Sequence, residues 1–381
     1  MKYKIKHIHT DIKFVSGVNI FNDEKFHNEV FLFSKQPNYD GVYKGEVSVF
    51  NYSKNDINRA ISLCQEADIV VMWDLEFVKS YITNRLNENV KVIWRFFGTE
   101  LYNKIPKYVF TTQTTEVKKK NTFNSPLIRT FKASILKKNQ QVKYQTTLKI
   151  EFEGAVRRAN YFLGLSDTEY QFLKERWPEL PPFLQNPFPQ MKSNEDSESI
   201  SNDIILGNSR NDYNNHLDIL DIIENSKSSV YYNYHLMFNY GKDNTYAKAV
   251  RERAVKLEQV KVIEEFLPIE EFRELYKSIS AFVLNGHRQM AMANVFQALR
   301  NNVKIYLNEK NVILDWLRKE GFLVYTIDDF ASDIENNNIK LNESEIIHNK
   351  NRLKAFGQKY NHTDFKNKLL KIITENEAIK V

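Results

Sequence analysis

The most informative segment for the fold of this chain is Asp203-Ile204-Ile205-Leu206-Gly207-Asn208-Ser209. A short apolar run passes directly into small and amide side chains, and a helical pattern follows over about 214–224. Apolar runs and helical patterns then alternate as far as residue 325, which is typical of parallel strands joined by crossover helices. We therefore predict an α/β domain of the nucleotide-binding type over 203–340.

The same alternation precedes that stretch, with apolar runs near 3–8, 30–34, 47–51, 68–73 and 90–97. It predicts a first Rossmann-like, parallel-sheet domain over 1–190. A Ser/Asn/Glu/Asp run over 191–202 has almost nothing to bury and is predicted to be the linker. Residues 341–381 are polar and helical, and we expect them to pack back towards the first domain. A chain of 381 residues is long enough for two such domains.

Positive charge is concentrated in one region of the chain. Between residues 101 and 158 there are 13 lysines and arginines against Glu116, Glu151 and Glu153, a net charge of +10. The whole chain carries +6, so the remainder is slightly acidic. Such a patch indicates an anionic partner: lipid headgroups, a diphosphate or nucleic acid. Nucleic acid is the least favoured of the three, because no base-stacking motif accompanies the charge.

Residues 110–149 interrupt the α/β rhythm and are predicted to be a basic insertion. Within it, Ile128, Phe131, Ile135 and Leu136 share one helical face, with basic residues on the other. This pattern is typical of a segment lying at a membrane interface. A solvated basic helix packed on its own domain would show the same pattern.

Composition restricts the class of protein further. The hydrophobic fraction of 42% and the charged fraction of 27% are those of a folded globular protein. Cys64 is the only cysteine, which favours a reducing compartment. Met1 to His9 lack the apolar core of a secretory signal, and no apolar stretch approaches 18 residues. We therefore expect a cytoplasmic protein, peripheral on the inner face of the plasma membrane.

In open parallel sheets, ligands bind beyond the carboxyl ends of the strands. In the second domain the positions beyond the strands hold amides, small residues and an arginine near a helix start, which suit a diphosphate. An ordinary strand-to-helix turn and an exposed arginine are the alternatives. The candidate ligand-binding residues are Gly207, Asn208, Ser209, Asn215, His216, Tyr234, Arg288, Gln289, Asn294 and Asn308.

Two carboxylates follow strands of the first domain. Asp11 comes after the first strand, and Glu100 comes after the strand that ends near Phe97. Either could take a proton from an attacking hydroxyl. Asp11 could equally be a helix N-cap, and His7 and His9 are rival bases.

Several motifs are missing from the sequence. There is no Asp-x-Asp pair, no Gly-x-x-x-x-Gly-Lys phosphate loop, no Gly-x-Gly-x-x-Gly and no zinc-type cysteine or histidine spacing. We therefore expect no metal and no bound cofactor. Helix ends and arginine would then stabilise a leaving group.

Together, the stretches 204–209, 215–217 and 281–308 resemble glycosyltransferase family 56, the TDP-N-acetylfucosamine:lipid II N-acetylfucosaminyltransferases. Phe97-Gly98-Thr99-Glu100-Leu101-Tyr102 is similar to the family's Trp-Gly-Ala-Asp-Leu-Tyr segment, and His9-Thr10-Asp11-Ile12 is similar to its Gly-Ser-Asp-Ile turn. After Arg288-Gln289 the family has Gly-Ile-Gly-Thr, whereas this chain has Met290-Ala291-Met292-Ala293.

The resemblance implies a GT-B architecture, with two facing Rossmann-like domains and a cleft between them. It implies an inverting, metal-independent transfer of a deoxy or amino-deoxy hexose from a nucleotide sugar, TDP-linked, to a polyprenyl-diphosphate-linked oligosaccharide. By that match the donor side would include Gly207, Asn208, Ser209, Asn215 and His216, with Arg288 and Gln289 near the diphosphate. Asp11 and Glu100 would face the acceptor. A UDP- or GDP-sugar transferase or an epimerase on the same fold, and a non-catalytic sugar- or nucleotide-binding protein, remain alternatives.

Overall fold

The computed structural model describes residues 2–36, 38–120, 151–189, 191, 193–194 and 201–377. These residues form two compact units. The first unit contains the described residues up to 100, those of 151–189 and those from 360 onwards. The second contains residues 101–120 and the described residues between 191 and 359.

The first unit is built on a seven-stranded sheet in which all strands are parallel. The spatial order is β3-β2-β1-β4-β5-β6-β7, so the order in which the strands are added reverses between β1 and β4. The strands are β1 Tyr3–His9, β2 Phe26–Phe33, β3 Glu46–Phe50, β4 Ile69–Trp73, β5 Lys91–Arg95, β6 Tyr161–Gly164 and β7 Phe183–Gln185.

Helices cover this sheet, and their starts follow local sequence rules. Ser53 caps one helix by accepting a hydrogen bond from the Asp56 amide, and Ile57, Ala60 and Cys64 form its buried stripe. The helical elements of the unit are a 3-10 helix over Ile12–Phe21 and helices over Lys54–Cys64, Val78–Thr83, 151–158, Asp167–Lys174 and His362–Glu377. A short helix over Thr99–Tyr102 lies where the two units divide.

The core of the first unit lies against the central strands. All five residues of β4 are buried, as expected for a strand that is covered on both faces. The last helix contributes Phe365, whose ring meets Phe21 at 5.3 Å between centroids, and Leu369. The C-terminal helix is therefore part of the first unit's core.

The second unit has a six-stranded sheet, again parallel throughout. Its spatial order is β10-β9-β8-β11-β12-β13, and the order in which the strands are added reverses between β8 and β11. The strands are β8 Asp203–Leu206, β9 Asn233–Met237, β10 Val260–Ile263, β11 Ala281–Leu284, β12 Lys304–Leu307 and β13 Tyr325–Thr326.

Crossover helices alternate with these strands. Asn311 caps one of them by accepting a hydrogen bond from the Ile313 amide, and Thr326 and Asp329 form a capping box on another. The helices are Pro106–Val109, Thr112–Lys120, His216–Asn225, Thr245–Ala254, Ile269–Ser278, Met292–Arg300, Val312–Lys319, Ile327–Glu335 and Glu343–Lys359, with 3-10 turns at Asp212–Asn214 and Ser228–Tyr231.

Two domain boundaries differ from the predicted ones. Residues 101–120, predicted within the first domain of 1–190, belong to the second unit. The reason is a set of hydrogen bonds: Thr111 donates from its hydroxyl to Asp218 at 2.7 Å, and the Thr111 amide donates to Asn215 Oδ1 at 3.1 Å. Of the C-terminal residues 341–381, the helix over Glu343–Lys359 also stays with the second unit.

Some elements also differ in their bounds. The predicted strand over 229–235 is observed as a 3-10 turn followed by β9, because Asn233 pairs with Asp203. Most of the insertion over 110–149, including Ile128, Phe131, Ile135 and Leu136, and most of the predicted linker over 191–202 lie outside the described residues. Among the helices that the structure describes, none combines the length and apolar character needed to cross a bilayer.

Candidate functional site

The turn after β8 requires glycine. Gly207 has a φ of +64°, and a Cβ at this position would lie 2.7 Å from His216 Nε2 and 3.0 Å from Asn214 Oδ1. The backbone therefore passes directly over the imidazole. Asn214 stabilises the turn by accepting from the Asn208 amide at 3.2 Å and donating to the Ser209 carbonyl at 3.0 Å.

Side-chain amides connect the carboxyl ends of three neighbouring strands. Asn215, which is fully buried with a φ of +47°, donates to the Asn285 carbonyl at 3.1 Å, and Asn285 donates back to the Asn215 carbonyl at 3.0 Å. Asn308 donates to Asn285 Oδ1 at 2.6 Å. The loops after β8, β11 and β12 are thereby held together, so Asn215 and Asn308 position the edge of the sheet through protein contacts.

His216 begins the helix behind this turn and is 2% exposed. Burial lowers the pKa of His216 to about 3, so its imidazole is neutral at physiological pH. The Tyr246 hydroxyl accepts from the His216 amide at 2.7 Å and lies 3.2 Å from Nδ1. If that hydroxyl donates to Nδ1, the imidazole proton sits on Nε2, which has no hydrogen-bond partner among the residues that the structure describes.

Arg288 and Gln289 lie in the loop after β11, and each is 9% exposed. The Arg288 guanidinium lies 4.4 Å from the centroid of the Tyr213 ring and donates to the Gln289 carbonyl at 3.2 Å. Among the described residues, Arg288 Nε and Gln289 Oε1 are buried without a hydrogen-bond partner. A buried cation with an unused donor is suited to an anionic ligand.

The helix that follows this loop offers further donors. It begins after Ala291, whose φ is +54° and whose methyl side chain cannot cap the first turn. Asn294 lies in that first turn and donates to the Tyr276 hydroxyl at 3.0 Å. An uncapped helix N-terminus beside an arginine adds a partial positive charge to the same edge of the sheet.

The remaining predicted residues of the second unit differ in placement. Ser209 is buried in the turn, and Asn208 donates to the Tyr240 hydroxyl at 2.6 Å. Tyr234, by contrast, is the second residue of β9 and lies fully buried in the hydrophobic core at the amino end of that strand. The structure therefore brings the other nine predicted residues to the carboxyl edge of the sheet and leaves Tyr234 away from it.

A cavity of about 430 Å³ adjoins this edge within the second unit. Tyr213 stacks on Phe110 with 5.2 Å between ring centroids, and Lys118 lies 3.8 Å from the Phe110 centroid while forming an ion pair with Asp212. The cavity is lined by Tyr102, Asn103, Pro106, Val109, Phe110, Lys118, Asn211, Asp212, Tyr213, Gly241, Lys242 and Asn244. Its aromatic and amide groups are suited to a nucleoside or sugar.

Sequence reasoning missed Tyr213 and Phe110, which link the cavity to Arg288. Tyr213 had a signal, because it follows Gly207-Asn208-Ser209 within the same loop. Phe110 had none, since it lies more than a hundred residues earlier and reaches this edge only through tertiary packing.

In the first unit, Asp11 follows β1 and caps the 3-10 helix. Its carboxylate accepts from the Lys13 amide at 3.1 Å and lies 3.0 Å from the Lys13 ammonium. The side chain is 43% exposed. The N-cap interpretation of Asp11 therefore describes its observed contacts, and the carboxylate remains accessible from solvent.

Glu100 is buried beyond the end of β5. Its Oε1 accepts from Trp94 Nε1 at 3.2 Å, while Oε2 is buried and finds no hydrogen-bond partner in the described ranges. Burial, assisted by the charges of Asp74 and Glu76, raises the pKa of Glu100 to about 7. A carboxylate with such a pKa can accept a proton efficiently near neutral pH.

Three further charged residues lie at this carboxyl edge of the first sheet and were not predicted from the sequence: Asp74, Glu76 and Lys79. Asp74 follows β4 with a φ of +71°, and burial raises its pKa although Lys79 acts in the opposite direction. The Lys79 ammonium donates to Thr10 Oγ1, the Trp73 carbonyl and Asp74 Oδ2. The loops after β1 and β4 are therefore joined by one buried cation.

The rival bases His7 and His9 are both buried. Burial lowers the pKa of His7 to about 4 and that of His9 well below its ordinary value. His7 contacts Asn28 at 2.9 Å and accepts from Trp73 Nε1 at 3.3 Å. His9 stacks on Trp73, and its Nε2 has no hydrogen-bond partner in the part of the chain that the structure describes. His7 is thus a core residue with both ring nitrogens in contact with other side chains, whereas His9, although also buried, keeps one ring nitrogen that could accept a proton.

Several solved structures share this fold over nearly the whole chain. The lipopolysaccharide outer core galactosyltransferase WaaB, in its apo form, has 12% sequence identity and a TM-score of 0.55, with 98% of this chain and 99% of that chain covered. Anabaena HepE in complex with UDP and glucose has 10% identity and a TM-score of 0.63, covering 98% and 100%. The sucrose-phosphate synthase of Thermosynechococcus elongatus has 8% identity and a TM-score of 0.64, covering 99% and 100%.

These similarities confirm the predicted fold class, an α/β architecture of the GT-B type with two parallel-sheet units. No protein-family model and no curated protein sequence matches the chain. The resemblance to glycosyltransferase family 56 therefore stays a prediction.

Proposed function

We propose that this protein is a glycosyltransferase whose second unit binds a nucleotide-sugar donor. The observation that carries the proposal is the pair Arg288 and Gln289, buried at the carboxyl edge of the sheet, whose atoms Arg288 Nε and Gln289 Oε1 have no hydrogen-bond partner within the described part of the chain. This edge lies where the strand order reverses, the usual ligand position in open parallel sheets. Proteins of the same fold include one solved with UDP and glucose.

Each part of the donor finds a suitable group in the second unit. The diphosphate accepts from Arg288 and from the uncapped first turn of the helix over Met292–Arg300. The nucleoside fits the aromatic cavity around Tyr213 and Phe110, since Tyr213 contacts Arg288 directly. As the sugar leaves, negative charge grows on the diphosphate, and Arg288 stabilises that charge.

The first unit would supply the base for an inverting transfer. The acceptor hydroxyl oxygen bonds to the anomeric carbon as the bond from that carbon to the diphosphate oxygen breaks, and the hydroxyl proton passes to a carboxylate. Glu100 is the better base by its pKa of about 7, although it is buried. Asp11 is the more accessible carboxylate, and both stay candidates.

The donor and acceptor follow from the family 56 resemblance. We propose a TDP-linked deoxy or amino-deoxy hexose as donor and a polyprenyl-diphosphate-linked oligosaccharide at the inner face of the plasma membrane as acceptor. The net charge of +10 over 101–158 supports binding to an anionic membrane surface. A UDP-sugar donor is the second candidate, favoured by the UDP and UDP-glucose complexes of HepE.

We also propose that the transfer requires no metal ion. Arg288 already provides a cation for the diphosphate, and the sequence contains no Asp-x-Asp pair. Turnover that persists in excess EDTA would support this proposal, whereas strict dependence on added Mg²⁺ or Mn²⁺ would contradict it.

Thermal stability with TDP, UDP, GDP, CDP and ADP at millimolar concentration, with and without Mg²⁺, tests the donor site. A nucleotide at a hundred times its dissociation constant adds about 2.7 kcal/mol to the free energy of unfolding, which raises Tm by several degrees. A shift with TDP alone supports the TDP donor. A preference for UDP or GDP would keep the glycosyltransferase and change the donor, and no shift with any nucleotide would overturn the proposal.

A nucleotide-binding result must then be followed by turnover. Release of the nucleoside diphosphate from its sugar, dependent on a lipid-linked acceptor and lost in Glu100→Gln or Asp11→Asn, supports a transferase. Interconversion of the free nucleotide sugar without acceptor would instead indicate an epimerase. Binding without turnover for any donor would indicate a non-catalytic binding protein.

A further inference from the structure

We propose that His27, Glu29 and Glu46 form a binding site for a divalent transition-metal ion in the first unit, separate from the donor edge and independent of the proposed glycosyltransferase activity. His27 Nε2 lies 3.3 Å from Glu29 Oε1 and 3.5 Å from Glu46 Oε2. All three potential ligand atoms lie within 4.8 Å of one another.

These separations match the size of a zinc site. Zinc binds histidine nitrogen and carboxylate oxygen at about 2.0–2.2 Å in a tetrahedral arrangement, so neighbouring ligand atoms are about 3.3–3.5 Å apart. The two distances from His27 Nε2 already have that value. Binding a metal requires movement mainly of Glu46, whose side chain is 68% exposed and therefore free to rotate.

Strand register brings the three side chains to one face of the sheet. His27 and Glu29 are two residues apart on β2 and so point to the same side. Glu46 begins the edge strand β3 and pairs with Glu29 in the register of the two strands. Two like charges placed opposite each other destabilise a sheet unless a cation lies between them.

Lys6 prepares Glu29 for this role. Its ammonium, in a side chain only 5% exposed, lies 2.8 Å from Glu29 Oε2, which leaves Oε1 directed at His27. A fixed partner on the second oxygen is typical of carboxylates that bind metals. Lys4, which pairs with His27 across β1 and β2, directs its ammonium to Glu66 at 3.8 Å. The three ligands and Lys6 together carry a charge of −1 when His27 is neutral.

The chemistry selects the ion. One imidazole and two carboxylates suit Zn²⁺, Co²⁺ or Ni²⁺, whereas Mg²⁺ prefers an all-oxygen set. The site is at the amino ends of β2 and β3, and the carboxylates Asp74 and Glu100 follow the carboxyl ends of β4 and β5. A metal here would join the edge strand β3 to β2 and stabilise the fold, with no part in sugar transfer.

Titration of the full chain with ZnCl₂ after EDTA treatment and desalting tests the site. We expect one Zn²⁺ per chain by calorimetry, a rise in Tm of about 5 °C at a hundredfold excess over the dissociation constant, and no rise with MgCl₂. His27→Gln and Glu46→Gln should each weaken binding at least tenfold. His348→Gln, which removes an exposed histidine of the second unit, is the matched control and should leave the Zn²⁺ affinity unchanged.

Equal Zn²⁺ affinity in wild type, His27→Gln and Glu46→Gln would overturn the proposal, as would the absence of saturable binding. In either case the three side chains form an ion-pair network without a metal. Circular dichroism of the variants shows whether they are folded, and both changes lie on partly exposed side chains. The nucleotide-induced Tm shift is measured on the same EDTA-treated protein, so failure of the metal site and failure of the donor site are separate results.

Discussion

The Lys79 ammonium lies 2.5 Å from Asp74 Oδ2, and the Lys79 side chain has no exposed surface. The same ammonium also contacts the Trp73 carbonyl and Thr10 Oγ1, each at 2.7 Å. One buried cation thus holds the ends of β1 and β4 together, at the point where the strand order of the first sheet reverses. Its partner Asp74 raises the pKa of Glu100, so the pair also affects the candidate base.

Removing this cation should destabilise the first unit strongly. Lys79→Met leaves Asp74, whose side chain is 19% exposed, without this positive charge, and we expect a loss of about 3 kcal/mol in the free energy of unfolding measured in urea. The double variant Asp74→Asn/Lys79→Met should lose less, because no uncompensated charge remains. Lys277→Met, in an exposed pair with Glu274, is the control and should change stability by less than about 1 kcal/mol. Equal losses in the Lys79 single and double variants would contradict the buried-pair interpretation.

Glu100→Gln should change both turnover and its pH dependence. If the Glu100 carboxylate is the base, the wild-type rate rises with pH through about 7, where the group loses its proton. The variant should lose about 10² to 10⁴ in rate and show no such rise. Glu271→Gln, on an exposed helical position, is the matched control. A variant with the wild-type rate and profile would exclude Glu100 as the base.

Glu100→Gln should also change how the thermal stability of the protein depends on pH. The folded-state pKa of Glu100 is raised above its ordinary value of 4.5, so the folded protein holds a proton that the unfolded chain releases. The stability that this proton contributes is fully present below 4.5 and is lost as the pH rises through about 7. Tm of wild type relative to Glu100→Gln should therefore fall between pH 4.5 and 8. A constant difference would show that the pKa is not raised.

Substitutions at Asp11 can separate capping from catalysis. Asp11→Ser keeps an N-cap acceptor for the Lys13 amide, whereas Asp11→Ala removes it and should cost about 1 kcal/mol. If Asp11 is only a cap, Asp11→Ser retains both stability and turnover. If Asp11 is the base, both variants lose turnover, and only Asp11→Ala loses stability. Urea unfolding and acceptor-dependent donor cleavage provide the two measurements.

Gly207→Ala should destabilise the second unit by about 1–2 kcal/mol, because φ is +64° and the added Cβ meets His216 Nε2 at 2.7 Å. Measured in a His216→Ala background, the cost should be smaller, since the imidazole contact is gone and only the backbone strain remains. An identical cost in both backgrounds would show that the contact with His216 does not contribute. Unfolding in urea measures both.

Arg288→Ala should weaken binding of a nucleoside diphosphate about tenfold to a hundredfold, which corresponds to the loss of a charged hydrogen bond. Arg288→Lys should recover part of the affinity, because it restores the charge without the planar donor set. Arg273→Ala, in an exposed pair with Glu270, is the control and should leave affinity unchanged. Calorimetry with the nucleotide that gives the largest Tm shift makes the comparison, and unchanged affinity in Arg288→Ala would remove Arg288 from the donor site.

Much of the fold could be predicted because the deciding signals are local. Buried apolar runs such as Ile69–Trp73 and Ala281–Leu284 follow from a sheet covered on both faces. The predicted ligand residues followed from the same pattern, since whatever succeeds a strand lies at the carboxyl edge. Tyr234 does not lie with the other predicted ligand residues. Strand β9 begins later than predicted, at Asn233, so Tyr234 lies at the amino end of β9 and not at its carboxyl end.

Local sequence pattern is enough to predict the alternation of strands and helices, the two parallel sheets and most of the residues at their carboxyl edges. It does not predict that residues 101–120 join the second unit or that Tyr213 and Phe110 meet beside Arg288. Nor does it predict that Lys79 reaches Asp74 and Thr10, or that Glu46 lies beside His27. Hydrophobic periodicity and capping act over only a few residues. Contacts between side chains on different strands depend instead on strand order and register, which the whole folded chain sets.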